Sequence, residues 1–231
     1  AIRASVEQHN EVCRLIRAIG DFRKEANPRV TGYEFHILTL VSYVAPKHLI
    51  VDKLRETLEE IKTREPDAAD KYRARVVFVG SEVDDVDVIR LVEESGAYVC
   101  ADRFCYGSLP GRDEIILNDE EDVVKQVCRQ VQGRAQCPRY WDMAKMTGRR
   151  DYVADLAKEY GADGIIYEQM KFCDPWAYER MIGTIVLRDE HGYPVLAVDR
   201  PYSIGSSGQM RTRVQAFVES IEIKKIQGGK K

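Results

Sequence analysis

Gly164-Ile165-Ile166-Tyr167 runs on through Glu168, Gln169 and Met170 into Lys171-Phe172-Cys173-Asp174-Pro175, and this stretch decides the fold. The first four residues read as a short buried strand. Asp-Pro stops the extended segment and starts a helix, because proline fixes φ and suits a first helical turn. A strand that hands over directly to a helix is a unit of a parallel α/β sheet, and ligands bind such sheets at the carboxyl ends of the strands. Cys173 falls at that end. A small buried hydrophobe is the competing reading of the same thiol, since free cysteine is often buried.

Outward from this unit the alternation repeats. Arg75-Val76-Val77-Phe78-Val79-Gly80 is a β-branched run closed by a turn signal, and Asp87 to Ser95 follows as a helix with Gly96 at its end. Ala97 to Asp102 is the next strand. A helix is predicted over Asp119–Val131, with Val124, Val127 and Val131 on one face. Asp151 is placed as the cap of a helix carrying Val153, Leu156 and Tyr160 that ends at Gly161. After the Cys173 unit, whose helix runs from Pro175 to about Leu187, Pro194–Asp199 is a fourth strand. A last helix buries Met210, Val214, Phe217, Val218 and Ile221. The fold expected is α/β: a doubly wound parallel sheet of about four strands with helices on both faces.

The first third differs. Val12, Leu15, Ile16 and Ile19 form one apolar stripe, and Ile50, Leu54, Leu58 and Ile61 another, both at helical spacing. Phe35 to Val44 is read as helix. Residues 1–74 are therefore expected to be a helical segment, a remnant or linker of a longer subunit, preceding a Rossmann-like α/β domain over 75–231. The absence of an initial methionine fits a fragment or a processed form.

Composition excludes several classes. The chain has 231 residues with 35 Lys and Arg against 38 Asp and Glu, a formal net charge of −3, and the charges are interspersed. Nothing in that balance argues for nucleic acid or an anionic membrane surface. No apolar stretch is long enough to span a bilayer, and the first residues do not resemble a signal peptide, so a cytoplasmic location is expected. Six cysteines without a Cys-x-x-Cys pair fit neither a secreted disulfide framework nor a zinc site. No GxGxxG follows the first strand, and no P-loop or Gly-x-Ser-x-Gly elbow occurs.

The residues able to do chemistry gather at the strand ends. The first strand leads to Ser81, Glu82, Asp84 and Asp85, the second to Asp102, Arg103 and Cys105, the third to Glu168, Gln169, Lys171 and Cys173, and the fourth to Asp199, Arg200 and Tyr202. Asp84 or Asp85 is a natural helix cap. Gly205-Ser206-Ser207-Gly208-Gln209 opens the last helix with free backbone N–H groups suited to an anion, and Arg211 and Arg213 would add donors. An ordinary serine cap with surface arginines accounts for the same residues. Cys137-Pro138-Arg139-Tyr140-Trp141 lies in a connection, where core packing of the two rings is the stronger expectation.

Several of these blocks together resemble the 2-hydroxyacyl-CoA dehydratase and benzoyl-CoA reductase family. The resemblance rests on Gly96-Ala97-Tyr98-Val99 leading to Asp102-Arg103-Phe104-Cys105-Tyr106-Gly107, on Cys137-Pro138, on Phe172-Cys173-Asp174-Pro175, and on Gly208-Gln209-Met210-Arg211-Thr212-Arg213-Val214-Gln215-Ala216-Phe217. It implies an oxygen-sensitive iron–sulfur enzyme subunit acting on an acyl-CoA substrate. A 4Fe–4S cluster passes a low-potential electron, received from an ATP-dependent activator protein, to the thioester, giving a ketyl-type radical. Cys173 matches the family's C-terminal cluster cysteine, and the other ligands usually come from an N-terminal domain, so the cluster is expected to be absent from this fragment. The resemblance further implies a homologous second subunit or self-association, and beside it the helix start at Ser206, Ser207, Gly208 and Gln209, with Arg211, is a candidate to hold an anionic part of CoA or the cluster's own negative charge. Tyr98, Tyr106 and Trp141 are candidates to shield the site from water. Two other readings stand beside this one: a non-catalytic α/β module that binds an acyl-CoA or phosphate ligand, and a related double-cluster reductase of small molecules.

Overall fold

The computed structural model describes residues 1–66, 71–108, 113–134, 136–202 and 207–228. Strands β1 (Ala74–Val79), β2 (Ala97–Arg103), β3 (Gly164–Met170) and β4 (Val195–Arg200) form one all-parallel sheet in the order β2-β1-β3-β4. The chain winds from β1 out to β2 and then returns to the other side of β1. The crevice between β1 and β3 at their carboxyl ends is therefore the topological switch point.

Alternation within the strands sorts the helices onto two faces. Val76 and Phe78 of β1 and Val99 of β2 pack with Val88, Ile89 and Val92 of α4 (Val86–Glu94), and with Val214, Phe217, Val218 and Ile221 of α8 (Ser207–Gly228). Val77, Val79, Ala101, Ile165 and Tyr167 point the other way, toward Val153, Ala154 and Ala157 of α6 (Met143–Glu159) and Trp176 and Leu187 of α7 (Asp174–Asp189). A sheet buried on both faces is why the strands read as near-continuous apolar runs. At the two edges burial differs: β2 is buried throughout, while Val195, Leu196 and Ala197 of β4 are only half-buried.

The helical segment forms a third core. Val12, Ile16 and Ile19 of α1 (Ile2–Asp21), Phe35 of α2 (Gly32–Val44) and Ile50, Leu54 and Ile61 of α3 (Lys47–Thr63) pack together. Phe35–Val44 is thus helical, as its apolar run suggests, and α2 opens with a Thr31–Glu34 capping box. The segment is fastened to the sheet by buried polar contacts. Arg23 pairs with Asp102 at 3.1 Å, and Glu93 of α4 accepts hydrogen bonds from the backbone N–H groups of Gly32, Tyr33 and Val99.

Burial lifts the Glu93 carboxyl to about 7, against the pull of those three donors. A raised folded-state value stabilises the fold fully below the ordinary glutamate range and loses that stability as pH climbs through 7. Relative to Glu93→Gln, the unmutated chain is expected to lose about 3 kcal/mol between about pH 5 and pH 8. Urea unfolding across that interval measures it, and parallel pH profiles for the two proteins would refute the assignment.

Two helix boundaries differ from the sequence expectation. The helix placed over Asp119–Val131 is α5 (Val123–Gly133), capped by Asp122, and its Val124 and Val131 are exposed rather than packed. Asp151 caps nothing: α6 begins at Met143, with Asp142 accepting from the Lys145 N–H. The residues of its early turns are exposed or half-buried, and the first buried ones are Arg149 and Arg150, so no apolar stripe announces them. Tyr140 and Trp141 are not core rings either, Trp141 being 76 % exposed.

Candidate functional site

Ser81 is the hub of the switch-point crevice. Its N–H and its hydroxyl both donate to Glu168 Oε2, at 3.0 and 2.9 Å, and its Oγ accepts the Met170 N–H at 2.5 Å. Its carbonyl accepts the Cys105 N–H at 2.9 Å. Glu168 is fully buried, and its other oxygen pairs with Arg200 Nε at 2.9 Å. Burial pushes the Glu168 carboxyl upward, opposed by Arg200 and Ser81. Gly80 permits this closeness, since a Cβ there would stand 2.5 Å from Glu168 Oε2. The loops after β1, β2 and β3 and the end of β4 thus share one fastening.

Two thiols hang from that fastening. Cys105 follows β2 on the Ser81 carbonyl, and the Cys173 N–H donates to Met170 O at 3.1 Å. Cys173 is the N-cap residue of α7, half-buried, with Pro175 in the first turn. Phe172 before it takes φ +70°, a left-handed conformation strained for a bulky residue, and its ring is 97 % exposed. The sulfur of Cys173 is therefore at the rim of the sheet, not sealed in the core.

Trp176, buried in the first turn of α7, belongs to the apolar cluster against which Cys105 and Cys173 pack, and its indole Nε1 has no hydrogen-bond partner among the described residues. Leaving such a donor unmet costs about 1–3 kcal/mol. Burial pushes the Cys105 thiol up to about 11 and also raises Cys173, where the Trp176 N–H and then Arg139 pull the other way. Cys105, Cys137 and Cys173 stand within electrostatic reach of one another.

The connection carrying Cys137 is tied down by a second buried network. Arg103 donates to Gln136 Oε1 and, at 2.7 Å, to the Arg149 carbonyl. Arg149 donates to the Tyr140 carbonyl at 3.1 Å and to Glu179 Oε2 at 2.9 Å, while Arg150 Nε reaches Glu179 Oε1 at 3.1 Å. Two buried guanidinium groups thus share one buried carboxylate, and Arg103 and Arg149 bracket residues 136–140 from both ends.

The other sequence candidates are placed as follows. Ser206 lies outside the described residues, and Ser207 and Gly208 begin α8, with Gly208 and Gln209 exposed. Arg211 pairs with Glu94 at 2.8 Å, and Arg213 donates to the Ala197 carbonyl at 2.6 Å, so both arginines are engaged within the chain. Asp85 caps α4. Tyr98 belongs to the opposite, amino end of the sheet, where its hydroxyl donates to Val30 O; it does not shield the thiols. Tyr106 stays at the strand-end side, edge-on to Tyr43. Sequence reasoning misses Trp176, Glu179 and Arg149, and it marks Arg103 only as a polar residue at a strand end. The available signal for Trp176 is its place three residues after Cys173, in the first turn of the helix.

A thiolate-ligated iron–sulfur group would find one ligand here in Cys173, on the half-open rim. Among the described residues no three metal-ligating side chains are gathered, so this part of the chain would give such a group an attachment point, not a closed cage.

Residues 1–221, the helical segment included, match the family described as 2-hydroxyglutaryl-CoA dehydratase, D-component. The chain is 28 % identical over 182 residues to the (R)-phenyllactyl-CoA dehydratase beta subunit of Clostridium sporogenes, covering 78 % of this chain and 46 % of that one. It is 22 % identical over 228 residues to a benzoyl-CoA reductase subunit of Thauera aromatica, covering 96 % and 57 %. Over 80 residues it is 36 % identical to the beta subunit of (R)-2-hydroxyglutaryl-CoA dehydratase of Acidaminococcus fermentans, covering 35 % and 21 %. The chain spans about half the length of the first two of these relatives. With a match across nearly all of its residues, the chain belongs to the 2-hydroxyglutaryl-CoA dehydratase D-component family of enzyme subunits.

Proposed function

We propose that this chain forms part of a subunit of an iron–sulfur enzyme of the 2-hydroxyacyl-CoA dehydratase or benzoyl-CoA reductase type, acting on an acyl-CoA in the cytoplasm. The observation that carries the reading is the half-buried Cys173 at the N-cap of α7, on the rim of the switch point. Cys173 would hold one iron of a 4Fe–4S cluster, with further thiolates supplied from elsewhere in the assembled enzyme. When bound, such a cluster supplies a single low-potential electron, drawn from an ATP-dependent activator, for reduction of the thioester carbonyl to a ketyl-type radical.

The chain's own residues perform the positioning. Ser81 and Glu168 fix the loops, Phe172 and Pro175 set the approach of Cys173 to the rim, and Arg139 places positive charge near its sulfur. A partner subunit is part of the proposal, because the relatives are named as subunits. No helix among the described residues is long and apolar enough to cross a membrane. None of the six cysteines forms a disulfide, which fits a reducing compartment. The reading of a phosphate-binding module draws less support, since Arg211 and Arg213 already have partners. A double-cluster reductase would use the same Cys173.

Purified anaerobically with its partner subunit, the protein is expected to be brown, and Cys173→Ser is expected to lose most of the visible thiolate-to-iron absorption. Undiminished colour in that variant would remove Cys173 from the ligand set.

A further inference from the structure

We infer that Arg103, Arg149 and Arg150 form a receptor for a phosphate-type dianion beneath the connection 136–141, a site that does not depend on the reading of Cys173. The charges here do not balance. Arg103 and Arg149 are 2 % and 4 % exposed, and Arg150 is nearly as buried. Among the described residues the one carboxylate paired with any of them is Glu179, which reaches Arg149 and Arg150 at 2.9 and 3.1 Å. The hydrogen bonds of Arg103 go to neutral oxygens, the Gln136 side chain and, at 2.7 Å, the Arg149 carbonyl. Arg103 Nε, Arg149 Nε and Arg150 Nη2 are buried with no hydrogen-bond partner among the described residues. Burial pulls the Arg103 guanidinium down to about 10, and Arg149 adds to the pull, as expected of a cation short of counter-charge.

A guanidinium keeps its proton at any ordinary pH, so it cannot escape a dry site by becoming neutral as a lysine or histidine can. Three such groups against one carboxylate leave an excess of positive charge, and buried charge without a counter-charge is strongly unfavourable. A phosphate group supplies close to two negative charges near neutral pH, on oxygens that match the forked guanidinium donors. The way in is short. The connection over the cluster is its outer layer, with Arg139, Tyr140 and Trp141 exposed. It holds the arginines by neutral acceptors alone: Gln136 Oε1 on Arg103, and the Tyr140 carbonyl on Arg149 at 3.1 Å. A charged oxygen accepts more strongly than either. The anion takes their place, and the connection is released from the cluster as it binds.

The test compares potassium phosphate with potassium chloride at neutral pH and equal ionic strength, with CoA as a second phosphate-bearing probe, on the unmutated chain and on Arg150→Met. Millimolar phosphate, too dilute for a general salting effect, is expected to raise the midpoint of thermal unfolding by about 3 °C or more. Trypsin cleavage after Arg139 is expected to speed up several-fold at the same time, because the connection loses its two holds. A salt that merely stabilised the fold would slow that cleavage. In Arg150→Met, where Glu179 keeps Arg149 as its partner, both effects should be lost. CoA acting at lower concentration than inorganic phosphate assigns the site to the phosphate of a larger ligand, and CoA adding nothing assigns it to the free anion. No thermal shift with either probe, a shift that survives in Arg150→Met, or cleavage that fails to speed up as the midpoint rises would overturn the proposal. The first and last of these are read on the unmutated chain and need no variant to fold.

Discussion

Glu168→Ala is expected to destabilise the protein by about 3–5 kcal/mol, the cost of stripping one partner from a buried ion pair. Arg200 would keep its charge with its side chain almost wholly buried, and three groups would lose their acceptor or their orientation: the Ser81 N–H, the Ser81 hydroxyl and Arg200 Nε. Glu168→Gln should cost less, because its amide oxygen still accepts from Ser81. Replacing both partners, Glu168→Met with Arg200→Leu, should recover most of the loss, as apolar pairs of similar volume often match buried ion pairs. Urea unfolding of the three variants decides the matter. A loss below about 1 kcal/mol for Glu168→Ala would show that this pair does not hold the strand ends.

Glu179→Ala should be comparably severe, at about 3–5 kcal/mol, for a related reason. Glu179 is the carboxylate shared by Arg149 and Arg150, whose side chains are buried or nearly so. Without it, two guanidinium groups remain packed beside Arg103 with no compensating charge. The effect should also reach the thiol edge, because Arg149 holds the Tyr140 carbonyl and, through its own carbonyl, the Arg103 that grips Gln136. Trypsin cleavage after Arg139 is therefore expected to speed up in Glu179→Ala under native conditions, beyond what global unfolding explains. Stability within about 1 kcal/mol of the unmutated chain, or unchanged cleavage at Arg139, would dissociate this network from the connection.

Much of the fold is legible in the residues because apolar periodicity reports it directly. β1 to β4, α1 to α4, α7 and α8 follow from runs and stripes that the structure buries. The start of α6 is illegible for the opposite reason: its first turns, Met143-Ala144-Lys145-Met146-Thr147-Gly148, are exposed or half-buried, and the first buried residues, Arg149 and Arg150, are held by ion pairs. The α5 stripe looks like a packing face and is exposed, since periodicity shows that a face is apolar, not what covers it. At the site, the place of Cys173 follows from local grammar, a strand handing over to Asp-Pro. Glu168 is visible only as a polar residue at a strand end. Its burial depends on Gly80 and Arg200, 88 and 32 positions away by number, and sequence spacing carries no trace of such pairings. Trp176 is hidden in the same way, because the cluster it packs in also takes Cys105, 71 positions upstream, against its edge.

The half-bare border of the sheet at β4 bears on how this polypeptide behaves in company. A row of unsatisfied amides and carbonyls flanked by Val195, Leu196 and Ala197 invites lateral addition of a foreign strand, the route by which sheets grow into aggregates. Two features blunt that invitation: Arg213 occupies the Ala197 carbonyl, and the exposed Asp199 puts a charge near the strand's end. Arg213 thereby acts as a guard on solubility, a duty separate from any anion drawn to the first turn of α8.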